Sequence, residues 1–561
     1  MSWTADPDID DGPHTVGRWI VDRATRSPER IAIDDRGVTT DYATLAARSS
    51  ELADRLRRAG YGPGDRIATV SGNSTDHVVA FFACAIAGIA FVPLSWRLTP
   101  RELADVLTRS SPALALIEDE HAALAGEALR IAAVAAPVAG LGTTGVEASV
   151  PRATNPRTRR PVRDDDPLLV IFTSGSEAAP KGVVLTHANC FWNNLALAQA
   201  LPLTQDDVVL AMLPQFHVAA WNCQPLLAWW VGATVVLERS FQPARVLQLI
   251  ADRKVTAMMG VPTQYALLAG DREWRTKVPT APPPAAGASG GASGRVGPAS
   301  SLRLALVGGA TMPVELQEEW TARGIPLTQG YGLTEAAPNV LHLPAAESIE
   351  APGAVGRPYP HVSVRIVDPA SGLVLEGEAT GELSVRGPSV FAGYLDDDDA
   401  TARAMSGEWL RTGDLASRDA SGVYRIVDRL KDIFISGGEN VAPAEVEYAL
   451  CLHPLIGEAA VVGVPDAVWG ERGVAFVVPV AGAALSVDEV LAHARRNLAA
   501  FKIPVHVEFV DTLPRSTIEK LARSRLREEA RLLVERRREQ EDRAGERVHG
   551  VVHERTKGES R

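Results

Sequence analysis

The stretch Ile171–His187 reads I-F-T-S-G-S-E-A-A-P-K-G-V-V-L-T-H, gathering hydroxyls, glycine and one ammonium between two apolar runs. Leu168 to Phe172 has the length and composition of a buried strand. A loop of this kind offers backbone N–H groups, the donors Thr173, Ser174 and Ser176, the small Gly175 and the Lys181 ammonium to a polyphosphate. It is not a Walker A loop: Gly182 follows Lys181 where Ser or Thr belongs, and no helical pattern opens there. Alone, the stretch reads as well as a solvated turn that holds a lysine. Its meaning depends on partners elsewhere in the chain.

Those partners lie at strand exits. Leu302–Val307 empties into Gly308, Gly309 and Ala310, and Pro326–Thr328 into Gln329, Gly330, Tyr331, Gly332, Leu333, Thr334 and Glu335. Ligands of open α/β sheets gather beyond the carboxyl ends of strands, and glycines there leave room for a flat ring against the backbone. Further on come W-L-R-T-G-D (Trp409 to Asp414), D-R-L-K-D (Asp428 to Asp432) and P-R-S-T-I-E-K (Pro514 to Lys520).

The elements that must carry these groups alternate. Thr40–Ala59 has apolar residues at Tyr42, Leu45, Leu52 and Leu56, the spacing of a helix lying on a sheet. Arg66–Val70 and Ala113–Ile117 read as buried strands with the helical Pro100–Arg109 before the second, so the chain is expected to be α/β with a largely parallel sheet. Ala122–Asp166 is weakly patterned, and Pro279–Ser301, nearly all Pro, Ala, Gly and Ser, reads as a surface loop or disorder. Val362–Arg386 reads as short strands and turns, a small β subdomain. A separate α+β unit is expected over residues 433–525, with helices at Pro443–Cys451 and Val487–Ala499 and strands at Ala459–Val464 and Val474–Val478. The expected division is therefore 1–428, a hinge at 429–432, a small mobile domain at 433–525 and a charged, frayed or disordered tail at 526–561.

Bulk properties narrow the function. A chain of 561 residues needs more than one core, since single cores stop growing at roughly 250–300 residues. With 46% hydrophobic and 22% charged residues it has an ordinary globular composition, and a net charge of -12 argues against nucleic-acid binding. Val78–Leu94 and Val208–Leu237 lack charge, but prolines, glycines and polar residues make them buried helix–strand segments rather than membrane spans. Cys84, Cys190, Cys223 and Cys451 show no metal or disulfide spacing, and no secretory signal is visible, so a reducing cytoplasm is expected. Oligomeric state stays open, a homodimer being one candidate.

Taken in register, T-S-G-S-E-A-A-P-K-G (Thr173 to Gly182), Y-G-L-T-E (Tyr331 to Glu335), W-L-R-T-G-D, D-R-L-K-D with S-G-G-E-N-V-A-P-A-E-V-E (Ser436 to Glu447), and P-R-S-T-I-E-K follow one family order. From about Thr15 to Arg525 the sequence resembles the acyl-adenylate-forming superfamily of acyl- and aryl-CoA synthetases, peptide-synthetase adenylation domains and luciferases. The resemblance implies that ATP, Mg²⁺, CoA and a small carboxylic acid are the ligands. Thr173, Ser174, Ser176 and Lys181 would hold the β- and γ-phosphates, Thr334 the α-phosphate and Glu335 the Mg²⁺. Gly308, Gly309, Ala310 and Gln329 to Gly332 would line the nucleotide, with Asp414 and Arg429 on its ribose. Lys520 would bridge the substrate carboxylate and the α-phosphate, and Lys431 would be the hinge. Gly437, Gly438 and Glu439 would line a tunnel for the thiol, with Trp469, Gly470 and Glu471 near it.

The acyl site resembles that of acyl- and aryl-CoA ligases. His217 stands where amino-acid-activating relatives have an aspartate, and Trp221, Val261, Tyr265 and Leu333, with Gly308 and Gly330, would form an apolar wall. That favours a fatty, alicyclic or aryl acid. Two departures stand out: Glu177-Ala178 replaces the usual Thr-Gly of the phosphate loop, and Ile518-Glu519 replaces the Thr-Gly before Lys520. They keep two other readings open. One is an adenylating enzyme of secondary metabolism with another acceptor (a carrier-protein thiol, an amine or nitrite); the other is a weakly catalytic nucleotide-binding homologue.

Overall fold

Helix Tyr42–Arg58 buries Tyr42, Leu45, Leu52 and Leu56, the face its periodicity predicts, and Asp41 opens it by accepting a hydrogen bond from the Thr44 N–H. Helix Pro100–Ser110 starts on a capping box of Thr99 and Glu102. The computed structural model describes residues 11–173, 180–277, 301–310, 312–325, 327–436, 439–466, 469–515 and 521–536. The chain divides into two compact units, residues 1–412 with 417–426, and residues 413–416 with 427–561.

In the first unit, one sheet runs in the order Arg357–Pro358, Asn339–Leu343, Leu327–Gly332, Leu304–Val307, Ala257–Gly260, Val208–Ala211, Thr234–Leu237, Ile31–Asp35, Val38–Asp41. Its middle strands are parallel and its outer ones antiparallel. A second sheet runs Gly393–Tyr394, Lys181–Thr186, Pro167–Thr173, Ala90–Leu94, Arg66–Val70, Leu114–Ile117, Val138–Gly140 and is parallel except where the first three strands meet. Both sheets are thus largely parallel, as expected, and mixed at the edges. Short connections account for the antiparallel hairpins Ile31–Asp35 with Val38–Asp41, Leu327–Gly332 with Asn339–Leu343, and Pro167–Thr173 with Lys181–Thr186, whereas a parallel return needs a crossover. Ser363–Val367 and Ala379–Arg386 form the antiparallel core of the small β subdomain.

Two readings need correction here. The strand expected at 326–328 runs from Leu327 to Gly332, because Asn339–Leu343 pairs along it. The weakly patterned segment after 121 contains helix Ala122–Ala132 and strand Val138–Gly140. Val78–Leu94 is a buried helix–strand segment as expected, helix Thr75–Ala87 followed by strand Ala90–Leu94, and no helix among the described residues is long and apolar enough to cross a membrane. Of the Pro/Gly/Ala/Ser stretch, all but Ser301 lies outside the described residues.

The second unit is built on strands Glu439–Val441, Phe434–Ser436, Gly470–Pro479, Ile456–Asp466 and His506–Phe509. Alternation sorts its side chains: Val461, Ala475 and Val477 join the core with helices Pro443–Cys451 and Val487–Asn497, while Ala460, Val462, Val474 and Phe476 join the opposite one. That opposite core is closed by a helix over 523–536, whose Leu526 and Ala530 are fully buried. The tail expected to fray from 526 is therefore an integral element as far as 536. Leu526, Ala530, Leu533 and Val534 recur at helical spacing inside a run whose high charge conceals them.

Candidate active site

Thr173 and Lys181 face each other in register at the loop end of the hairpin formed by Pro167–Thr173 and Lys181–Thr186. Apolar runs on both sides bury the strands, so the hydroxyl and the ammonium stand at the mouth of a rigid frame. Ser174, Gly175, Ser176 and the Glu177-Ala178 departure lie outside the described residues, as do Gly437, Gly438, Lys520 and Ile518-Glu519.

Three parallel strands of the other sheet end side by side. Gly260 pairs with Val307 and Val307 with Gln329, which places Val261, Gly308 and Gly330 at adjacent strand exits. A Cβ on Gly308 would sit 3.3 Å from the Gly330 carbonyl oxygen and 3.3 Å from Met259 Cε, so glycine keeps this exit open. Gly309 and Ala310 are exposed beyond it, while Tyr331, Gly332 and Leu333 are partly so. At Gly332 the pairing slips by a residue, and a Cβ there would lie 1.4 Å from the Pro338 carbonyl oxygen. That bulge turns the chain into the short helix Thr334–Ala336, which presents Thr334 and Glu335 at the surface of the first unit.

The short helix is tied down from behind and from the side. Ala337, at φ +61°, gives its carbonyl to Asn222 Nδ2 at 3.1 Å, and Asn339 and Asn193 complete the buried amide cluster. From the side, the Phe391 N–H donates to the Glu335 carbonyl at 2.8 Å. Tyr394 Oη donates to Glu335 Oε1 at 2.9 Å, and among the described residues no donor reaches Oε2. Lys181 Nζ lies 5.3 Å from the centroid of the Tyr394 ring. Sequence reasoning missed Tyr394: a Gly-Tyr pair more than 200 residues from Lys181 carries no spacing signal, and only sheet pairing brings it home.

The acyl candidates divide. His217 and Leu333 are partly exposed, as is Val261. Trp221 and Tyr265 have no exposed surface at all: Trp221 stacks on Phe81 with ring centroids 4.4 Å apart, and Tyr265 Oη donates to the Leu306 carbonyl at 2.9 Å. These two back the wall rather than face it, because their neighbours Phe81, Phe91 and Trp320 already cover their rings. Gln215 anchors the His217 segment through three contacts. Its N–H donates to Asn73 Oδ1 at 3.0 Å, its carbonyl accepts from Trp221 Nε1 at 2.7 Å, and its side-chain oxygen lies 3.0 Å from His77 Nδ1.

In the second unit, Asp414 is buried and pairs with the exposed Arg429 at 3.3 Å. Asp428 accepts from the N–H groups of Arg429 and Ala444, capping helix Pro443–Cys451, and burial pushes its carboxyl above the usual range. Desolvation, then the neighbouring Arg429 charge, lowers the pKa of Lys431. Glu471 accepts from the Ile435 N–H at 2.9 Å, and Trp469 is exposed with Arg472 over its ring. The cysteines are free; burial pushes the thiols of Cys190 and Cys223 up to about 12, so neither offers a nucleophile.

This framework agrees with known proteins. Residues 20–395 match the family model described as AMP-binding enzyme, and residues 445–520 match the AMP-binding enzyme C-terminal domain. The chain belongs to the AMP-binding enzyme family. This AMP-binding enzyme is 38% identical to a feruloyl-CoA synthase of Amycolatopsis sp, over 91% of this chain and 98% of the relative. It is 34% identical to the indoleacetate–CoA ligase of Aromatoleum aromaticum, with the same coverage of 91% and 98%. Among solved structures, the o-succinylbenzoate CoA synthetase of Bacillus subtilis in complex with its acyl-adenylate intermediate superposes with a TM-score of 0.78 at 29% identity, covering 91% of this chain and 97% of that one. That synthetase is also solved with ATP and a magnesium ion. The superposition supports the α/β architecture of a large N-terminal and a smaller C-terminal domain.

Proposed function

We propose that this AMP-binding enzyme activates a small apolar or aryl carboxylic acid with ATP and then transfers the acyl group to the thiol of CoA. The observation that carries the reading is the hairpin's loop end that holds Thr173 and Lys181, set beside a Glu335 whose second carboxylate oxygen takes no donor among the described residues. In the first half-reaction a carboxylate oxygen attacks the α-phosphorus, the bond to the bridging oxygen breaks, and pyrophosphate leaves with the electron pair. The barrier is largely repulsion between an anion and a polyanion, so placed positive charge and donors do most of the work.

On this reading Thr173, Ser174, Ser176 and Lys181 take the β- and γ-phosphates, and Thr334 donates to the α-phosphate. Glu335 suits Mg²⁺, a hard cation that prefers carboxylate oxygen, since among the described residues no donor competes for Oε2. Mg²⁺ would neutralise part of the phosphate charge. Asp414, paired with Arg429, accepts from the ribose hydroxyls. Lys520 bridges the two reacting anions. In the second half-reaction the thiolate attacks the acyl carbon and AMP leaves, with Gly437, Gly438 and Glu439 lining the thiol's approach after the chain turns at Lys431.

The acid is read from His217, Val261 and Leu333. None is an anion, so a substrate ammonium would be buried without a counter-charge, whereas an aromatic or aliphatic tail would not. The test is pyrophosphate exchange over a panel of cinnamic, indolic, alicyclic and fatty acids, with AMP release measured with and without CoA. Exchange with at least one acid, lost in Lys181→Ala and Lys520→Ala and followed by CoA-dependent AMP release, is the expected result. Exchange that survives both substitutions defeats the proposal, and AMP release indifferent to CoA moves the acceptor elsewhere.

A further inference from the structure

Strand Gly393–Tyr394 runs antiparallel to Val183 and Val184, and the hydrogen bonds of Ala392 to Val184 and of Leu395 to Gly182 extend the pairing on both sides. A segment from far along the chain is thereby laid against the hairpin that presents Lys181. Just before it, the Phe391 N–H holds the Glu335 carbonyl. Gly393 has φ +146°, and the Tyr394 N–H donates to Thr401 Oγ1 at 2.9 Å, so the tyrosine backbone is held on both flanks. Its side chain touches both charged groups: the hydroxyl holds Glu335 Oε1 at 2.9 Å, and Lys181 Nζ lies 5.3 Å from the ring centroid.

We infer that Tyr394 is a positioning residue of the nucleotide site, one neutral side chain that sets where the phosphate-binding ammonium of Lys181 and the metal-binding carboxylate of Glu335 stand relative to each other. The inference rests on the ATP reading proposed above. The chemistry suits the task. An arginine or lysine holding Glu335 would neutralise the carboxylate and compete with a divalent cation. A phenol fixes one oxygen, leaves the charge in place and turns the other oxygen outward. The ring face likewise attracts the ammonium without cancelling its charge.

The test uses the full-length protein and isothermal titration with ATP, once with Mg²⁺ and once in EDTA, on the native chain, Tyr394→Phe and Tyr394→Leu. Tyr394→Phe keeps the ring and loses only the hydroxyl: binding in EDTA should stay within twofold of native, while the tightening produced by Mg²⁺ should shrink by about tenfold. Tyr394→Leu also loses the ring, so ATP should bind about threefold more weakly in EDTA as well. If Tyr394→Phe retains the native Mg²⁺ dependence, or weakens ATP equally with and without Mg²⁺, the positioning role is overturned while the ATP reading stands. A native chain that binds no MgATP overturns both. Tyr394→Phe removes a single oxygen, so it decides the question even where Tyr394→Leu fails to fold.

Discussion

Two glutamates in different units contrast the carboxylate proposed to hold a ligand with one committed to the fold. Glu335 is partly exposed, is held on one oxygen by a phenol and takes no donor from the described residues on the other. Glu447 accepts two hydrogen bonds from Arg523, at 2.5 and 2.9 Å, and another from the Val461 N–H at 2.7 Å. Arg523 in turn donates to the Val461 carbonyl and pairs with Asp432, which Arg527 also reaches. Both Glu447 oxygens are committed inside that network. A saturated network holds elements together and has nothing left to offer, whereas a half-satisfied carboxylate at a surface is ready for a cation.

The difference predicts opposite phenotypes. Removing the cation from the saturated network should cost the most: Arg523→Ala leaves Glu447 enclosed and unpaired, and about 3–5 kcal/mol of the second unit's stability should go with it. Denaturant unfolding, read together with amide exchange along strand Ile456–Asp466, checks this; loss below 1 kcal/mol would erase the contrast. Glu335→Gln should do the reverse. Its unfolding midpoint should stay near native, because a side-chain amide oxygen still accepts from Tyr394 Oη, while Mg²⁺-dependent pyrophosphate exchange should fall by roughly 10²-fold or more.

Sequence legibility follows the same line. The residues proposed to hold ligands sit in motif strings rich in glycine, hydroxyls and charge, so Thr173, Lys181, Thr334, Glu335, Asp414 and Arg429 could be picked out as candidates before any fold was known. Helix Pro443–Cys451 and strand Arg66–Val70 were equally plain from periodicity. Tertiary satisfaction was not legible. Tyr394 works only because strand pairing carries it to Lys181, and helix 523–536 is recognisable only once its apolar stripe meets Val462 and Phe476. Trp221 and Tyr265 misled for a related reason, since an aromatic near a pocket motif cannot be told from one that packs behind it until its neighbours are known.

Buried or half-buried histidines extend the comparison to groups that burial keeps uncharged. Burial pushes the pKa of His187 down to about 4, and its Nδ1 accepts from the Val16 N–H at 3.1 Å, a contact that protonation of that nitrogen breaks. His77 and His342 are also lowered to about 4, again chiefly by burial. The unfolded chain takes up these protons near pH 6.5, but the folded chain refuses them until about pH 4. Stability is therefore complete above pH 6.5, declines as the pH falls towards 4 and declines no further from this cause below it. Each histidine should contribute a slope of about 1.4 kcal/mol per pH unit within that window. Denaturant titrations at pH 7, 6 and 5 should show the fall, and His187→Gln, which keeps an acceptor for Val16, should remove one histidine's share.

The smallest effect calibrates the largest. Lys502 and Glu445 form an ion pair in the same unit as Arg523 and Glu447, with both carboxylate oxygens at 2.5 and 2.7 Å from the ammonium. By distance alone the two pairs are equals. They differ in enclosure: Glu445 is 50% exposed, whereas Glu447 is 15% exposed. Water can replace Lys502 at no great loss, but it cannot easily replace Arg523. Lys502→Ala should then change unfolding free energy by only about 0.2–1 kcal/mol and should lose most of that effect in high salt. If instead Lys502→Ala matched Arg523→Ala, enclosure would not be what separates a structural carboxylate from one left open for a ligand, and the distinction between Glu447 and Glu335 would have to rest on something other than access to water.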